Sequence, residues 1–394
     1  MIRFFLSAGE ISGDRYGAAL VSALKHVASQ RAVPEPRFVG MGGHHMRAVG
    51  VALKWDVSDM STIGFIEPLK YIPRFWRTYR EIKAYLTETR PDIVIPIDFQ
   101  GFNMAVCRVA VSLGIPVFYY IGPQFWQWGN ASQAKAYLAM NCRTVTIFEE
   151  EQAYYRNMGA NPVYIGHPLL DLLRDHHAHK PMPKAPFDLG LFPGSRPQEM
   201  AHTAPLLFAA AAALQRQPSC NENGTQVPTV SISVSNPRYT APLSALAATS
   251  GLQNYRLVPG VPGELLSKCD LALATSGTMT LELALSGVPL VSVYRFHPIS
   301  YRIAKWLIGK KIKAMGHFSL PNLMLKTRLV PEFLQEEASV AAIAAAAENL
   351  LTNRDAHATI QTGYAKLRER LGSGGATMRA AHEIFQYLQF RNKG

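Results

Sequence analysis

The stretch Leu271-Ala-Leu-Ala-Thr275-Ser276-Gly277-Thr278-Met-Thr-Leu-Glu282-Leu-Ala-Leu constrains this chain most. An apolar run stops at Thr-Ser-Gly-Thr and a helix-forming run starts there, so a buried strand hands over to a helix. Such a junction aims unpaired backbone N–H groups, and the positive end of the helix dipole, at whatever sits above it. Phosphate is the natural guest. Glu282, about one turn into the helix, is placed to reach a sugar hydroxyl beside that phosphate. A capped helix that binds nothing satisfies the same pattern, so the rest of the chain has to decide.

The chain has 394 residues, long for one α/β core, and two domains are expected. Its 48% hydrophobic content is enough to fill two cores. A net charge of +12 favours an anionic partner: nucleic acid, anionic lipid or a phosphorylated substrate. Cys107, Cys142, Cys220 and Cys269 lie far apart with no CxxC pair, which reads as reduced, scattered thiols rather than a zinc site. The N-terminal apolar run is too short for a signal peptide, and the uncharged run Leu206 to Leu214 falls far short of a membrane span. The expectation is a soluble protein, or one resting on a membrane surface.

Short apolar runs at 2–7, 37–43, 92–97, 116–121, 143–148 and 163–165 alternate with helix-sized segments. That alternation predicts a mostly parallel sheet covered on both faces. Ala8 to Asp14 reads as a glycine-containing turn before a helix striped by Leu20, Val21, Leu24 and Val27. Residues 172–187 break the rhythm with His176, His177, His179 and a proline-rich run, the best linker candidate. The histidines could hold a metal, but no cysteine stands near them, and a solvated linker is the preferred reading. The rhythm resumes with runs at 188–192, 229–234, 255–258, 270–274 and 289–294, an Ala-rich helix near 206–214, and a surface loop at 221–226. Helices close the chain, the last from about 376 with an apolar face of Met378, Ala381, Ile384, Phe385 and Leu388. The organisation expected is a domain over 1–175, a linker over 176–187, a second domain over 188–365, and a C-terminal helical segment over 366–394.

In doubly wound sheets, ligands sit at the carboxyl ends of the strands. Asp98 ends one apolar run there, as a general base or as a cap or salt-bridge partner. Glu10, Ser12 and Asp14 surround the first glycine turn, as binders of substrate hydroxyls or as helix caps. In the second half, Pro193-Gly194-Ser195-Arg196-Pro197-Gln198-Glu199 follows a strand. Gly194 lets backbone approach a ligand and Arg196 suits a diphosphate, although the same residues make an ordinary turn. Asn322, in Ser319-Leu-Pro-Asn-Leu, offers both donor and acceptor. No GxxxxGK[ST] loop, no correctly spaced dinucleotide fingerprint, no Asp-x-Asp pair and no G-x-S-x-G elbow occurs.

Two stretches mix cations with aromatics. Lys70, Arg74, Arg77, Arg80 and Lys83 interleave with Tyr71, Phe75, Trp76 and Tyr79; Arg295, Arg302, Lys305, Lys310, Lys311 and Lys313 accompany Tyr301 and Trp306. Such stretches suit an anionic membrane surface or RNA, or are helices with one core face and one solvated face. Two stretches of one character tilt the reading toward a membrane surface.

Taken in order, these motifs resemble the lipid-A-disaccharide synthases, inverting glycosyltransferases of the GT-B fold, over essentially the full chain. The matching segments are Ala-Gly-Glu10-Ile-Ser12-Gly13-Asp14, Phe-Val-Gly-Met-Gly-Gly-His-His-Met46, Ile-Gly-Phe-Ile-Glu67, Ile-Asp98, Phe102-Asn103, Tyr-Ile-Gly-Pro-Gln-Phe-Trp126-Gln-Trp128 and Tyr-Ile-Gly-His167. They continue with Pro-Gly-Ser-Arg196-Pro-Gln-Glu199, Thr-Ser-Gly-Thr278-Met-Thr-Leu-Glu282, Tyr294-Arg295 and Ser-Leu-Pro-Asn322-Leu. The resemblance implies two Rossmann-like doubly wound domains facing a central cleft. It implies transfer from UDP-2,3-diacylglucosamine to 2,3-diacylglucosamine 1-phosphate (lipid X), forming a β-1,6 disaccharide and releasing UDP. Asp98 matches the family's proposed base. Glu10, Ser12, Gly13, Asp14, Glu67 and Asn103 fall on the acceptor side. Gly194, Ser195, Arg196, Glu199, Thr275, Ser276, Gly277, Thr278, Glu282 and Asn322 fall on the UDP side. Lys70, Arg74, Phe75, Trp76, Arg77, Arg302, Lys305 and Trp306 become membrane contacts on the cytoplasmic face of the inner membrane. No metal or other cofactor and no nucleic acid is expected, and the C-terminal helix returns to the first domain or crosses to the second subunit of a homodimer.

Three positions depart from the family pattern: Gly101 stands where a second acid is common, Gly122-Pro-Gln-Phe-Trp-Gln-Trp stands where the family often reads Ser-Pro-Ser-x-Trp-Ala-Trp, and Phe148-Glu-Glu-Glu replaces Pro-Phe-Glu. All lie in the acceptor-side half. Alternatives on this fold are a different lipid-linked or soluble acceptor, or a UDP-sugar epimerase. A non-catalytic binder of anionic surfaces or nucleic acid is the third.

Overall fold

Parallel strands buried on both faces should read as continuous apolar runs, and in the computed structural model those runs are the strands. The structure describes residues 1–56, 67–126, 131–173, 180–183, 187–217, 227–260, 263–298, 301–302 and 316–391. Among the described residues, seven strands form the first half: β1 (Arg3–Ala8), β2 (Arg37–Gly42), β3 (Ala52–Asp56), β4 (Ile93–Ile97), β5 (Phe118–Tyr119), β6 (Arg143–Thr146) and β7 (Val163–Tyr164). Their order is β3-β2-β1-β4, all parallel. Bridges Val94↔Val117 and Ile97↔Tyr120 carry the pairing on to β5, after which β6 and β7 follow in parallel. Five of the six residues of β1 and all of β4 are buried. β3 carries no apolar run; its residues alternate between exposed and half-buried, as an edge strand's do, and the sequence reading missed it.

The second half holds β8 (Asp188–Phe192), β9 (Thr229–Val234), β10 (Tyr255–Pro259), β11 (Leu271–Thr275), β12 (Leu290–Tyr294) and β13 (Glu332–Leu334). They form one parallel sheet in the order β10-β9-β8-β11-β12-β13. β8 comes first in sequence but lies inside the sheet, so the winding reverses between β8 and β11. That is where a doubly wound sheet opens a crevice at its carboxyl edge. β13, three residues long, also went unread. The Ala-rich helix Ala204–Gln215 is buried along most of its length and lies beside the helix Val340–Thr352, small side chains letting the two approach closely. The fold class is therefore two doubly wound α/β units.

The described residues of 1–56, 69–172 and 371–391 pack together as one compact unit and those of 173–370 as the other. In the first unit the closing helix Ala376–Arg391 packs on the helix Ile11–Gln30, with Phe385 centred 6.4 Å from Phe4 and Arg31 lying 5.4 Å from the Phe385 ring. Asp171 holds the start of that closing helix, accepting the backbone N–H groups of Gly375 and of Thr377 (2.7 Å), while Arg379 donates to Ile165 O (2.8 Å). Of the linker reading, His176, His177 and His179 lie outside the described residues, as does the 221–226 loop.

Candidate active site

In the first unit, β4 ends at Ile97 and the helix Gln100–Ser112 begins three residues later. Asp98 and Phe99 make this tight turn with φ of 48° and 50°, two successive left-handed residues without a glycine. Such backbone persists only where its surroundings over-determine it. Here they do. Asp98 N–H donates to Tyr120 O (3.2 Å), and Asp98 O accepts from Asn103 Nδ2 (2.7 Å) and the Tyr119 hydroxyl (3.0 Å). Asn103 also donates to Ser7 O (3.0 Å) and Ile97 O (3.2 Å) and accepts from Ser7 Oγ (2.6 Å). Asn103 is fully buried, so its amide is spent on the turn. It is a brace behind Asp98, not the acceptor-facing group the sequence reading expected. Asp98 itself is half-buried at the strand end.

Asp14 is corrected in the same way. The first helix begins at Ile11, so Ser12, Gly13 and Asp14 lie in its opening turn rather than before it. The buried Asp14 carboxylate accepts from Gly43 N (2.8 Å), His45 N (2.9 Å) and Met46 N (3.0 Å), capping the next short helix. Glu10 and Ser12 remain half-buried. Glu10 is the residue before that first helix and makes no side-chain cap bond. Asp14, His44 and His45 place potential metal-ligand atoms within 4.8 Å of one another, but the Asp14 oxygens already serve three N–H donors. Gly9 has no room for a Cβ, which would collide with the Phe99 ring.

Glu151, which the sequence reading did not single out, is fully buried. Its Oε2 accepts from Ile147 N (2.9 Å) and its Oε1 from Gln124 Nε2 (3.2 Å), and Gln124 Oε1 in turn accepts from Trp126 Nε1 (2.7 Å). Burial pushes its carboxyl up to about 8, and the charge of Asp98 adds to the push. At neutral pH Glu151 therefore holds its proton. The altered segments around Gly122 and Glu149–Glu151 thus meet beside the Asp98 turn. His167 is buried, its imidazole pushed down to about 4, so it stays neutral between Phe148 (5.3 Å) and Tyr16 (6.4 Å).

The basic aromatic helix is Glu67–Thr89. Trp76 is 62% exposed and the side chain of Arg77 82%, while Arg74 and Arg80 also face solvent. Phe75 does not join them. It lies 6.0 Å from both Phe99 and Phe102, forming an aromatic wall against the Asp98 turn, and is removed from the membrane-contact set. The side chains of Glu67 and Lys70, and all of Trp128, Lys305 and Trp306, lie outside the described residues; Arg302 is exposed.

In the second unit, the loops after β8, β9 and β11 are bonded together at the switch point. Thr275 Oγ1 donates to Pro193 O (2.9 Å), Ser235 Oγ to Gly194 O (2.9 Å) and the Tyr239 hydroxyl to Ser195 O (3.4 Å). Gly194 has φ of 106°, and a Cβ there would overlap the Glu199 carboxylate, so the turn requires glycine. Glu199 is buried beneath this turn, accepting from Ser195 N (2.8 Å) and Arg196 N (3.1 Å) and pairing with Arg196 (2.9 Å). It shapes the loop rather than facing a ligand. Gly194, Ser195, Arg196, Ser276, Gly277 and Thr278 are half-buried, lining the strand ends. Ser276 Oγ donates to Phe318 O (3.1 Å), tying in the loop before the helix Leu320–Leu325.

Glu282 is 2% exposed, too enclosed for the open reach to a sugar expected of it. Asn322 is fully buried and is spent on the backbone of Val330, donating to its O (2.9 Å) and accepting from its N (2.8 Å). Glu332 on β13 accepts from Phe318 N (3.2 Å) and Ser319 N (2.9 Å) and contacts His317 Nδ1 (2.8 Å). What remains is a set of small loops at one sheet edge, the open N-terminus of the helix Thr278–Leu285, and a guanidinium. These are the parts of a diphosphate site.

The family model described as lipid-A-disaccharide synthetase matches residues 4–385. The chain is 33% identical to the lipid-A-disaccharide synthase of Geobacter metallireducens, over 98% of this chain and 97% of that one. It is 34% identical to that of Gloeothece citriformis, over 98% and 100%. Among solved structures, the UDP-GlcNAc 2-epimerase of Methanocaldococcus jannaschii, in complex with UDP-GlcNAc and UDP, superposes with a TM-score of 0.58 at 13% identity, covering 98% of this chain and 99% of that one. That likeness is one of fold.

Proposed function

The chain belongs to the lipid-A-disaccharide synthase family, and from that premise we propose that it transfers the sugar of UDP-2,3-diacylglucosamine to the 6-hydroxyl of lipid X. The match along nearly the whole chain carries this reading over an epimerase, whose likeness here is architectural. It is a glycosyltransferase enzyme, with a UDP-sugar donor and a lipid acceptor.

Asp98 is the base. Its half-buried carboxylate stands at a strand end, and its backbone is fixed from below by Asn103 and Tyr119. Asp98 takes the proton of the acceptor 6-hydroxyl as that oxygen attacks the anomeric carbon. The bond to the UDP oxygen breaks, and the configuration inverts. Charge gathers on the leaving diphosphate, and the N–H groups at the start of the helix Thr278–Leu285, with Arg196, offset it. Glu199 acts by holding the Gly194–Arg196 turn in shape. Because a helix terminus and a guanidinium supply that stabilisation, we assign no metal or other cofactor to the transfer.

No helix among the described residues is long and apolar enough to cross a membrane, yet both substrates carry acyl chains. We place the enzyme on the cytoplasmic face of the inner membrane, with Arg74, Trp76, Arg77 and Arg302 toward anionic lipid. Pairing of two copies through the C-terminal segment belongs to the same proposal.

The test is UDP release from UDP-2,3-diacylglucosamine, with and without lipid X in detergent micelles. Release that requires lipid X is expected. Asp98→Ala should lose turnover by a factor of at least about a hundred with UDP binding near normal, on the scale of general-base losses. Wild-type turnover by Asp98→Ala would remove Asp98 as base, and UDP binding without release would point to another acceptor.

A further inference from the structure

Glu332 is the first residue of β13 and is buried. Its Oε2 accepts from Phe318 N (3.2 Å) and Ser319 N (2.9 Å), which ties the loop before the helix Leu320–Leu325 to that strand. Its Oε1 meets His317 Nδ1 at 2.8 Å. A carboxylate only accepts, so Nδ1 carries a proton and donates. A histidine is not needed to hold the loop, which Glu332 already grips through two backbone N–H groups. The other ring nitrogen, Nε2, has no hydrogen-bond partner among the described residues and is not enclosed; 20% of the side chain is exposed.

The same loop touches the small-residue turn after β11. Ser276 Oγ donates to Phe318 O (3.1 Å), so the residue after His317 is bonded to the first residue beyond that strand. The sheet register agrees. Thr275 pairs with Val293 and Val293 with Phe333, so Glu332 lies near the level of the β11 carboxyl end and two strands across. At about 4.8 Å per strand the separation is roughly 10 Å. His317 is held between Glu332 on one side and the turn Ser276–Thr278, where the helix Thr278–Leu285 begins, on the other.

We propose that His317 is a further catalytic residue of the transfer: anchored through Nδ1 on Glu332, its imidazolium donates from Nε2 to an oxygen of the leaving diphosphate. The proposal rests on the UDP-sugar reading above and adds a cation to it. A ring protonated at both nitrogens has two donors, one for the Glu332 carboxylate and one for a phosphate oxygen. The carboxylate fixes the ring's orientation, so the second donor is set in place before the reaction starts. Charge grows on the diphosphate as its bond to the anomeric carbon breaks, and a fixed donor there gains more from the transition state than from the bound substrate.

The experiment measures UDP and uridine binding by calorimetry for the wild-type chain, His317→Gln and His317→Lys, with lipid X-dependent UDP release alongside. His317→Gln should bind UDP at least about tenfold more weakly, the scale of a lost hydrogen bond to a charged group. It should bind uridine as the wild type does and lose kcat, and His317→Lys should recover UDP affinity by restoring the cation. Unchanged UDP affinity in His317→Gln overturns the proposal, and so does an equal loss for UDP and uridine, which is what a loosened loop would give. Should the variants not fold, the wild-type chain decides: UDP, but not uridine, should shield His317 from diethyl pyrocarbonate, read by peptide mass spectrometry. Modification at the same rate with and without UDP overturns the contact. UDP release tests the transfer separately; UDP affinity that depends on His317 without lipid X-dependent release fails the acceptor reading and leaves His317 on the diphosphate, whereas a wild-type chain that binds no UDP fails both.

Discussion

Replacing Glu151 with Gln should stabilise the protein, by an amount that grows with pH. The ordinary carboxyl value is 4.5 and the folded value is pushed up to about 8 by burial first and by Asp98 among the lesser causes. Between those two pH values the folded chain holds a proton that the unfolded chain has released. Stability therefore falls as pH rises through that window and levels off above the folded value. At about 1.4 kcal/mol for each pH unit, the cost at Glu151 is about 1 kcal/mol at pH 5.5 and about 4 kcal/mol at pH 7.5. Gln cannot ionise, and its amide can still accept from Ile147 N or face Gln124, so the variant keeps the local bonds without the cost. Urea unfolding of wild type and Glu151→Gln at both pH values, followed by circular dichroism, measures the gap. Other titrating groups are common to the two proteins and cancel to first order. The gap should widen by about 3 kcal/mol. An equal gap at the two pH values would mean that Glu151 is ionised throughout, and the proton assignment beside Asp98 would be wrong.

Asn103→Ala leaves Ser7, Ile97 and Asp98 groups without a buried partner. It should lower stability by about 3 kcal/mol and reduce kcat at least about tenfold, with the KM for the UDP-sugar little changed; steady-state kinetics with a thermal melt checks both. A normal kcat would reduce Asn103 to a structural residue. Glu199→Ala removes the acceptor beneath Ser195 N and Arg196 N and should weaken UDP about tenfold, roughly two lost hydrogen bonds, by calorimetry; unchanged affinity would detach the Gly194–Arg196 turn from the nucleotide. Trp76→Glu should reduce sedimentation with phosphatidylglycerol vesicles, and wild-type binding should weaken as salt rises. Equal sedimentation of the two proteins would take this helix off the membrane.

Much of the architecture was legible because strands covered on both faces must be apolar along their whole length. β8 and β9 were read to the residue, and most other strands to within a residue or two at each end. The turns after β8 and β11 were legible for a related reason: only glycine and small hydroxyl residues suit a strand end that opens onto a helix terminus. β3 and β13 were not, since an edge strand or a three-residue strand leaves no periodic signal.

By itself, the sequence determined two doubly wound units and the family. It could not determine which way a polar side chain at a strand end points. Asn103, Asp14, Glu199 and Asn322 read as ligand-facing, yet each is folded back onto backbone groups, of distant segments for Asn103 and Asp14 and of the adjoining turn or loop for Glu199 and Asn322. A carboxylate or amide has the same appearance in a sequence whether it meets a substrate or a buried N–H, because the partner is set by how the chain folds around it. The same holds for Glu151, whose proton follows from burial and from Asp98. Charge state and hydrogen-bond partner depend on what surrounds a group in space, and that was decided by the tertiary structure.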